Sequence, residues 1–162
     1  MADKTEFSEI TVRSGLARLL TAAVAGSGRA KCDVAADARL HKDALRRVLQ
    51  AERSATLGEA LRILEASRAA PRAHLLLFLV CGEDQAIDWL QSDLAEFFAE
   101  FNAEFLQALH RSLGDQVGEV KPRWAKGTAY RAARLLADHL ADLERKEGLL
   151  DSLFMGEIHG EQ

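Results

Sequence analysis

Apolar residues recur every three or four positions along most of this chain, the spacing of a helix that buries one face. The sequence shows no convincing run of alternating apolar and polar residues, the pattern of a half-buried strand. Ala and Leu are abundant and only two prolines occur, a composition that favours helix. We therefore predict an all-α fold.

The first half of the chain predicts five helices. The first spans about 10–25 and ends at Gly26-Ser27-Gly28, and two short helices follow at about 30–36 and 42–50. The inward residues predicted for the first helix are Leu16, Leu19, Leu20 and Val24.

The fourth and fifth helices have clear start signals. Thr56 and Glu59 have the spacing of a capping box, in which each side chain bonds to the backbone of the other residue. Pro71 suits an early helical position, where its missing N–H leaves no bond unmade, and Gly82 is predicted to end this fifth helix. The apolar face predicted for the fourth helix comprises Leu57, Ala60, Leu61 and Leu64.

The second half predicts two long helices that form a hairpin. One carries a continuous stripe from Ile87 to Leu109 and ends at Gly114, and the other runs from Pro122 to Gly148. The stripe of the second helix comprises Ala133, Leu136, Leu140 and Leu143, and the tail from Asp151 is predicted as a short helical turn followed by a frayed end. The predicted division is a domain at 1–82 and a helical region at 83–162.

Charge is divided unevenly along the chain. Residues 1–75 hold 13 Lys/Arg and 9 Asp/Glu, a net charge of +4, whereas residues 76–162 hold 8 Lys/Arg and 16 Asp/Glu, a net charge of −8. This asymmetry suggests that only the first half meets a polyanion, although solvated surfaces also vary in this way by chance.

The first residues, the apolar runs and the cysteines of the sequence predict a cytoplasmic protein. The first ten residues are charged and have no apolar core of a secretion signal, and the apolar run from Leu75 to Cys81 is too short to span a bilayer. Cys32 and Cys81 have no partner spacing, which fits a reducing compartment.

The stretch from Gly28 to Leu57 resembles the lambda-repressor-like (XRE) helix-turn-helix family over residues 10–80. Val34-Ala35 match the second helix of that pattern and Leu40 the apolar residue of the turn. Leu45 and Val48 match the buried side of the recognition helix, and residues 53–57 match the following loop and helix start.

The resemblance implies that this domain binds double-stranded DNA in the major groove. The side chains expected to contact base edges are those of Lys42, Asp43, Arg46, Arg47 and Gln50. Those expected to contact phosphates are Lys31, His41, Arg53 and Ser54. The alternative interpretation of Arg46 and Arg47 is that they are solvated surface charges. That of Asp43 is that its negative charge only stabilises the start of the helix.

The sequence departs from the family pattern at several positions. Arg39 stands where the turn commonly has Gly, and since a left-handed conformation is costly for a non-glycine residue, the turn is expected to be longer or differently shaped. His41 stands at the usual Ser or Thr cap, and Lys31 replaces a frequent Gln. Leu49 replaces a usual acidic residue, and Ala51 replaces the loop Gly.

The long helices of the second half are expected to join two copies of the chain, because helix-turn-helix domains commonly read two half-sites as a dimer. They are equally able to fold back on the fifth helix of their own chain. The residues expected at the dimer interface are Ile87, Leu90, Leu94, Phe97, Phe101, Phe105, Leu136 and Leu140.

No residue pattern indicates catalysis, a bound metal or a cofactor. The five histidines have no ligand spacing with one another or with the cysteines, and the sequence contains neither a phosphate-binding glycine loop nor a nucleophile elbow. The sequence thus favours a bacterial, nucleoid-associated transcription regulator, such as a dimeric repressor that reads an inverted repeat with the helix at 42–50. The alternative is a protein-interaction factor, an antitoxin or adaptor, that acts through its acidic helical half while DNA binding is secondary.

Overall fold

The computed structural model describes the backbone of residues 8–158 and the side chains of residues 8–146. Over this range all regular structure is helical, as the sequence predicts. The α-helices are α1 (Glu9–Gly26), α2 (Lys31–Asp37), α3 (Lys42–Leu49), α4 (Leu57–Ala66), α5 (Pro71–Cys81), α6 (Glu83–Asp88), α7 (Leu94–Leu113) and α8 (Ala125–Ile158).

The first four helices enclose one core. α1 begins at Ser8, whose hydroxyl accepts a hydrogen bond from the backbone N–H of Thr11, and its buried face includes Leu20 and Val24. Val34 of α2, Leu45 of α3 and Ile63 of α4 lie fully inside the same core. The predicted inward residues of α1 are thus confirmed, with Leu16 only partly buried.

The start of α4 is as predicted, whereas one residue of its apolar face is not. The Thr56 hydroxyl accepts from the Glu59 backbone N–H, and the Glu59 carboxylate accepts from the Thr56 backbone N–H. Leu57, the first residue of α4, is 70% exposed, whereas Ala60 in the same turn is fully buried. Ile63, outside the predicted set, is buried instead.

α5 and α6 build a second apolar cluster beside the first. Pro71 opens α5 and Gly82 ends it at a φ of 90°, both as predicted. Leu77 of α5 and Ala86 of α6 are fully buried with Leu19 of α1.

The continuous helix predicted across 87–109 is wrong. α6 ends at Asp88, residues 89–93 form turns, and α7 begins at Leu94. Asp93 accepts the first helical bond of α7, from the backbone N–H of Phe97, and aspartate favours this capping position over a helix interior.

Because of this break, Ile87 and Leu90 pack against other residues of the same chain. Both are partly buried and pack against the apolar clusters, although the sequence predicts them at a dimer interface. Phe97, Phe101 and Phe105 form a stacked row along α7, with ring centroids 6.0 and 5.5 Å apart.

The chain divides into two compact units between Ala108 and Leu109, so the predicted boundary at Gly82 falls inside the first of them. In the second unit, Pro122 opens a 3₁₀ turn, Pro122–Trp124, that leads into α8. α8 does not end at Gly148 as predicted but continues to Ile158, since one glycine weakens a helix without breaking it. The predicted turn from Asp151 is part of α8, and the predicted frayed end from residue 159 lies outside the described residues.

No helix in the described part of the chain is both long enough and apolar enough to cross a membrane.

Candidate nucleic-acid interface

α3 separates its apolar and polar side chains onto opposite faces. Leu45 and Val48 are each 1% exposed and lie in the core between α1, α2 and α4. The five side chains predicted to contact bases all lie on the exposed side of this segment: Lys42, Asp43, Arg46, Arg47 and Gln50. The helix thus offers solvent a row of hydrogen-bond donors and acceptors on a backbone fixed from behind.

The turn between α2 and α3 has a defined geometry. Arg39 has a φ of 55°, in the left-handed region. Its backbone N–H donates to the Ala36 carbonyl over 3.0 Å, and the Leu40 N–H donates to the Ala35 carbonyl over 2.8 Å. These two bonds form a Schellman motif, which ends a helix sharply, and Leu40 then packs against the core. The turn is therefore not lengthened by the missing glycine.

α3 ends in the same way. Ala51 has a φ of 56°, its N–H donates to the Val48 carbonyl, and the Glu52 N–H donates to the Arg47 carbonyl over 2.9 Å. Arg39 and Ala51 thus both occupy the left-handed conformation for which glycine is favoured.

The first turn of α3 is capped by an imidazole. The Nδ1 atom of His41 accepts a hydrogen bond from the Asp43 backbone N–H over 3.3 Å. The Asp43 carboxylate lies 3.5 Å from the same nitrogen. His41 therefore fills the role that Ser or Thr has at most helix starts.

The two arginines of α3 share one carboxylate. Glu52 Oε1 lies 3.4 Å from Arg46 Nη1, and Glu52 Oε2 lies 3.9 Å from Arg47 Nε. Arg46 also donates to the Gln50 side-chain oxygen over 2.5 Å. About half of each arginine side chain stays exposed, 53% and 54%, so both remain accessible to a ligand.

Arg53 is held more tightly than the arginines of α3. Its guanidinium makes two bonds to the Glu59 carboxylate, of 3.1 and 2.9 Å, with Glu59 only 14% exposed. The hydrogen bonds from Arg53 hold the pKa of Glu59 below its usual range, against a smaller opposing effect of burial. Arg53 therefore fixes the loop to the start of α4, while Lys31, His41 and Ser54 are exposed.

Sequence reasoning missed the arginines that hold the interface in place. Arg29 donates to the Ala66 carbonyl over 2.6 Å and pairs with Asp37, and Arg62 donates to the Ala38 carbonyl over 2.9 Å. The bonds from Arg29 to Ala66 and from Arg62 to Ala38 join residues 37 and 24 positions apart, so no local pattern could have revealed them. Comparisons of the chain with protein-family models, with curated proteins and with solved structures find no match.

Proposed function

We propose that this chain is a sequence-specific DNA-binding transcription regulator of the lambda-repressor-like helix-turn-helix type. The observation that carries the proposal is α3, whose exposed residues include Lys42, Arg46, Arg47 and Gln50 while Leu45 and Val48 anchor it in the core. A helix supported in this way can enter the major groove without exposing apolar surface.

The chemistry of the exposed face suits base edges. Arginine and lysine donate to the acceptors of guanine, glutamine bonds to adenine in two places, and aspartate accepts from cytosine. Lys42, Asp43, Arg46, Arg47 and Gln50 present this set within nine residues, because the capped start and the Schellman end keep the segment short. Because this face carries both hydrogen-bond donors and acceptors, it is better suited to sequence-specific contacts with bases than to phosphate binding alone.

Phosphate contacts in this proposal come from the surroundings of α3. Lys31 begins α2, and His41 and Ser54 lie on either side of α3 in the chain. Arg53 has its charge compensated by Glu59, so its role here is to position the loop. Glu52 competes with DNA for Arg46 and Arg47, and its negative charge limits affinity for any duplex.

The direct test is selection of bound duplexes from a random pool, followed by affinity measurements on the selected sequence. Arg46→Ala is expected to weaken specific binding by about 1–3 kcal/mol and to relax preference at one position. Lys31→Ala is expected to weaken all duplexes about equally and to reduce the dependence on salt.

Two further variants serve as comparisons. Glu52→Gln is expected to strengthen binding to every duplex by a factor of about 1.5–5, the range of an exposed ion pair. Arg72→Ala, which removes an exposed arginine of α5, is the matched control and is expected to change nothing. The proposal fails if no sequence is enriched, or if Arg46→Ala behaves like Arg72→Ala.

A second candidate function is a protein-interaction factor, an antitoxin or adaptor with secondary DNA binding. It is favoured by the compensation of Arg46, Arg47 and Arg53 by carboxylates of the same chain. Under this function Glu52→Gln leaves the affinity for DNA low, and neither Arg46→Ala nor Lys31→Ala alters transcription.

A further inference from the structure

α8 exposes an apolar stripe that its own unit leaves uncovered. From Ala125 to Lys146, every side chain except that of Ala132 is exposed. Leu136, Leu140 and Leu143 are 38%, 51% and 40% exposed. A helix in water draws most of its stability from an apolar face packed against something, so a stripe of this kind calls for a partner.

The stripe has the spacing of a helix pair. Leu136, Leu140 and Leu143 are separated by four and then three residues, and Ala129 and Ala133 continue the same spacing toward the start of α8. Such alternation keeps a seam facing one neighbouring helix. The side chains of this stripe are small at Ala129 and Ala133 and large at Leu140 and Leu143. The small half of one stripe therefore complements the large half of a second, identical stripe.

Charge is also divided between the two halves of α8. Residues 125–137 hold three Lys/Arg and no Asp/Glu, whereas residues 138–158 hold six Asp/Glu and two Lys/Arg, a net charge of −4. The first turn has no acidic residue and the last turn no basic one. This arrangement opposes the helix dipole, which favours acids at the start and bases at the end. The charges therefore do not serve the helix in isolation.

We propose that α8 packs antiparallel against α8 of a second copy of this chain, with the two helices crossing near Leu136. In this orientation the alanine half of each seam faces the leucine half of the other, which keeps the gap between the helices uniform. The basic half of each helix lies along the acidic half of its partner, and the two helix dipoles oppose one another. A parallel pair would place basic beside basic and acidic beside acidic. The proposal does not depend on DNA binding.

The first experiment measures mass in solution by sedimentation for the full-length chain. The expected result is a dimer whose dissociation constant rises roughly tenfold or more on Leu136→Glu, because a charge would enter the seam. Leu135→Glu is the matched control, since Leu135 is 70% exposed and lies about 100° around the helix from Leu136. It is expected to leave the dimer intact.

The second experiment measures orientation. Cys32 and Cys81 are exposed and free, so both are first replaced by serine, and a single cysteine at Thr128 then carries a spin label. An antiparallel pair crossing near Leu136 places the two labels about 24 Å apart, from a rise of about 1.5 Å per residue. A parallel pair places them at roughly the interhelix distance of about 10 Å, plus the length of the labels.

Each remaining outcome contradicts the proposal. A monomer at all concentrations shows that α8 has no second copy as partner. A dimer that survives Leu136→Glu shows pairing through another surface, such as the phenylalanine row of α7. A short distance between the labels shows a parallel pair. Far-ultraviolet circular dichroism of the Leu136→Glu variant measures whether α8 remains helical, and so distinguishes loss of pairing from loss of fold.

Discussion

The helices α1, α3, α4 and α5 of the first region carry leucine at a helical spacing similar to that of α8, but they use it differently. Leu20, Leu45 and Leu64 are each at most 1% exposed, whereas Leu136 and Leu140 are 38% and 51% exposed. Helical periodicity in a sequence thus predicts an apolar face without telling which surface will cover it. In the first region the covering surface belongs to the same chain.

The placement of charge also differs between α8 and three helices of the first region. α1, α3 and α4 each have an acidic residue in the first turn, namely Glu9, Asp43 and Glu59, and α3 has arginines in its last turn. α8 has neither feature. α1, α3 and α4 therefore carry charges that stabilise their own ends, whereas α8, like α5, does not.

The largest expected effect tests whether the buried leucines of the first region contribute more to the free energy of unfolding than the exposed leucines of α8. Leu64→Ala is expected to lower the free energy of unfolding by about 2–5 kcal/mol, because it leaves a cavity in a closed core. Leu136→Ala is expected to leave the unfolding transition of the first region unchanged. Denaturant titration of Trp89 fluorescence in a Trp124→Phe background measures both, and equal losses would break the comparison.

A medium effect concerns the capped start of α4. Arg53 holds the pKa of Glu59 low, so the carboxylate stabilises the fold above the usual glutamate range and loses this effect as pH falls through the lowered pKa. Glu59→Gln is expected to cost about 1–3 kcal/mol at neutral pH.

The difference between the Glu59→Gln variant and the parent chain is expected to shrink as both are titrated to acid. Unfolding free energies measured at several pH values give this difference directly. Glu65→Gln, at an exposed position of the same helix, is the matched control. A difference that stays constant with pH would show that the Arg53 contact is not ionic.

The smallest expected effect concerns the left-handed conformation at the end of α2. Arg39 is held at a φ of 55°, so Arg39→Gly is expected to raise the free energy of unfolding by about 0.5–1 kcal/mol. Arg39→Ala keeps the strained conformation and is expected to bring no gain. If both variants stabilise equally, the gain comes from loss of the arginine side chain and not from the backbone.

Local signals allowed much of the first region to be predicted. Thr56 with Glu59, Pro71 and Gly82 act within a few residues, so the start of α4 and the bounds of α5 follow from sequence. The division of α3 into a buried and an exposed side also follows from its spacing. The DNA contacts assigned to its exposed side remain predictions.

Contacts between distant residues could not be predicted. The apolar stripe continues through residues 89–93, and the packing of Ile87 and Leu90 against other helices, which accompanies the break between α6 and α7, has no local signal in the sequence. The hydrogen bonds from Arg29 to the Ala66 carbonyl and from Arg62 to the Ala38 carbonyl have no local signal in the sequence either. Gly148 shows the opposite case, a local stop signal that a long helix overrides.

α2, α3 and α4 all end in the Schellman motif, with Arg39, Ala51 and Arg68 at its left-handed position. The segments before and after α3 are therefore already fixed in the free protein. Binding of a ligand to the exposed face of α3 therefore does not require a loop to become ordered, so the protein loses little conformational entropy on binding. Association is then expected to be limited by diffusion and charge and not by a preceding rearrangement, with a rate constant that is independent of loop dynamics and falls with salt.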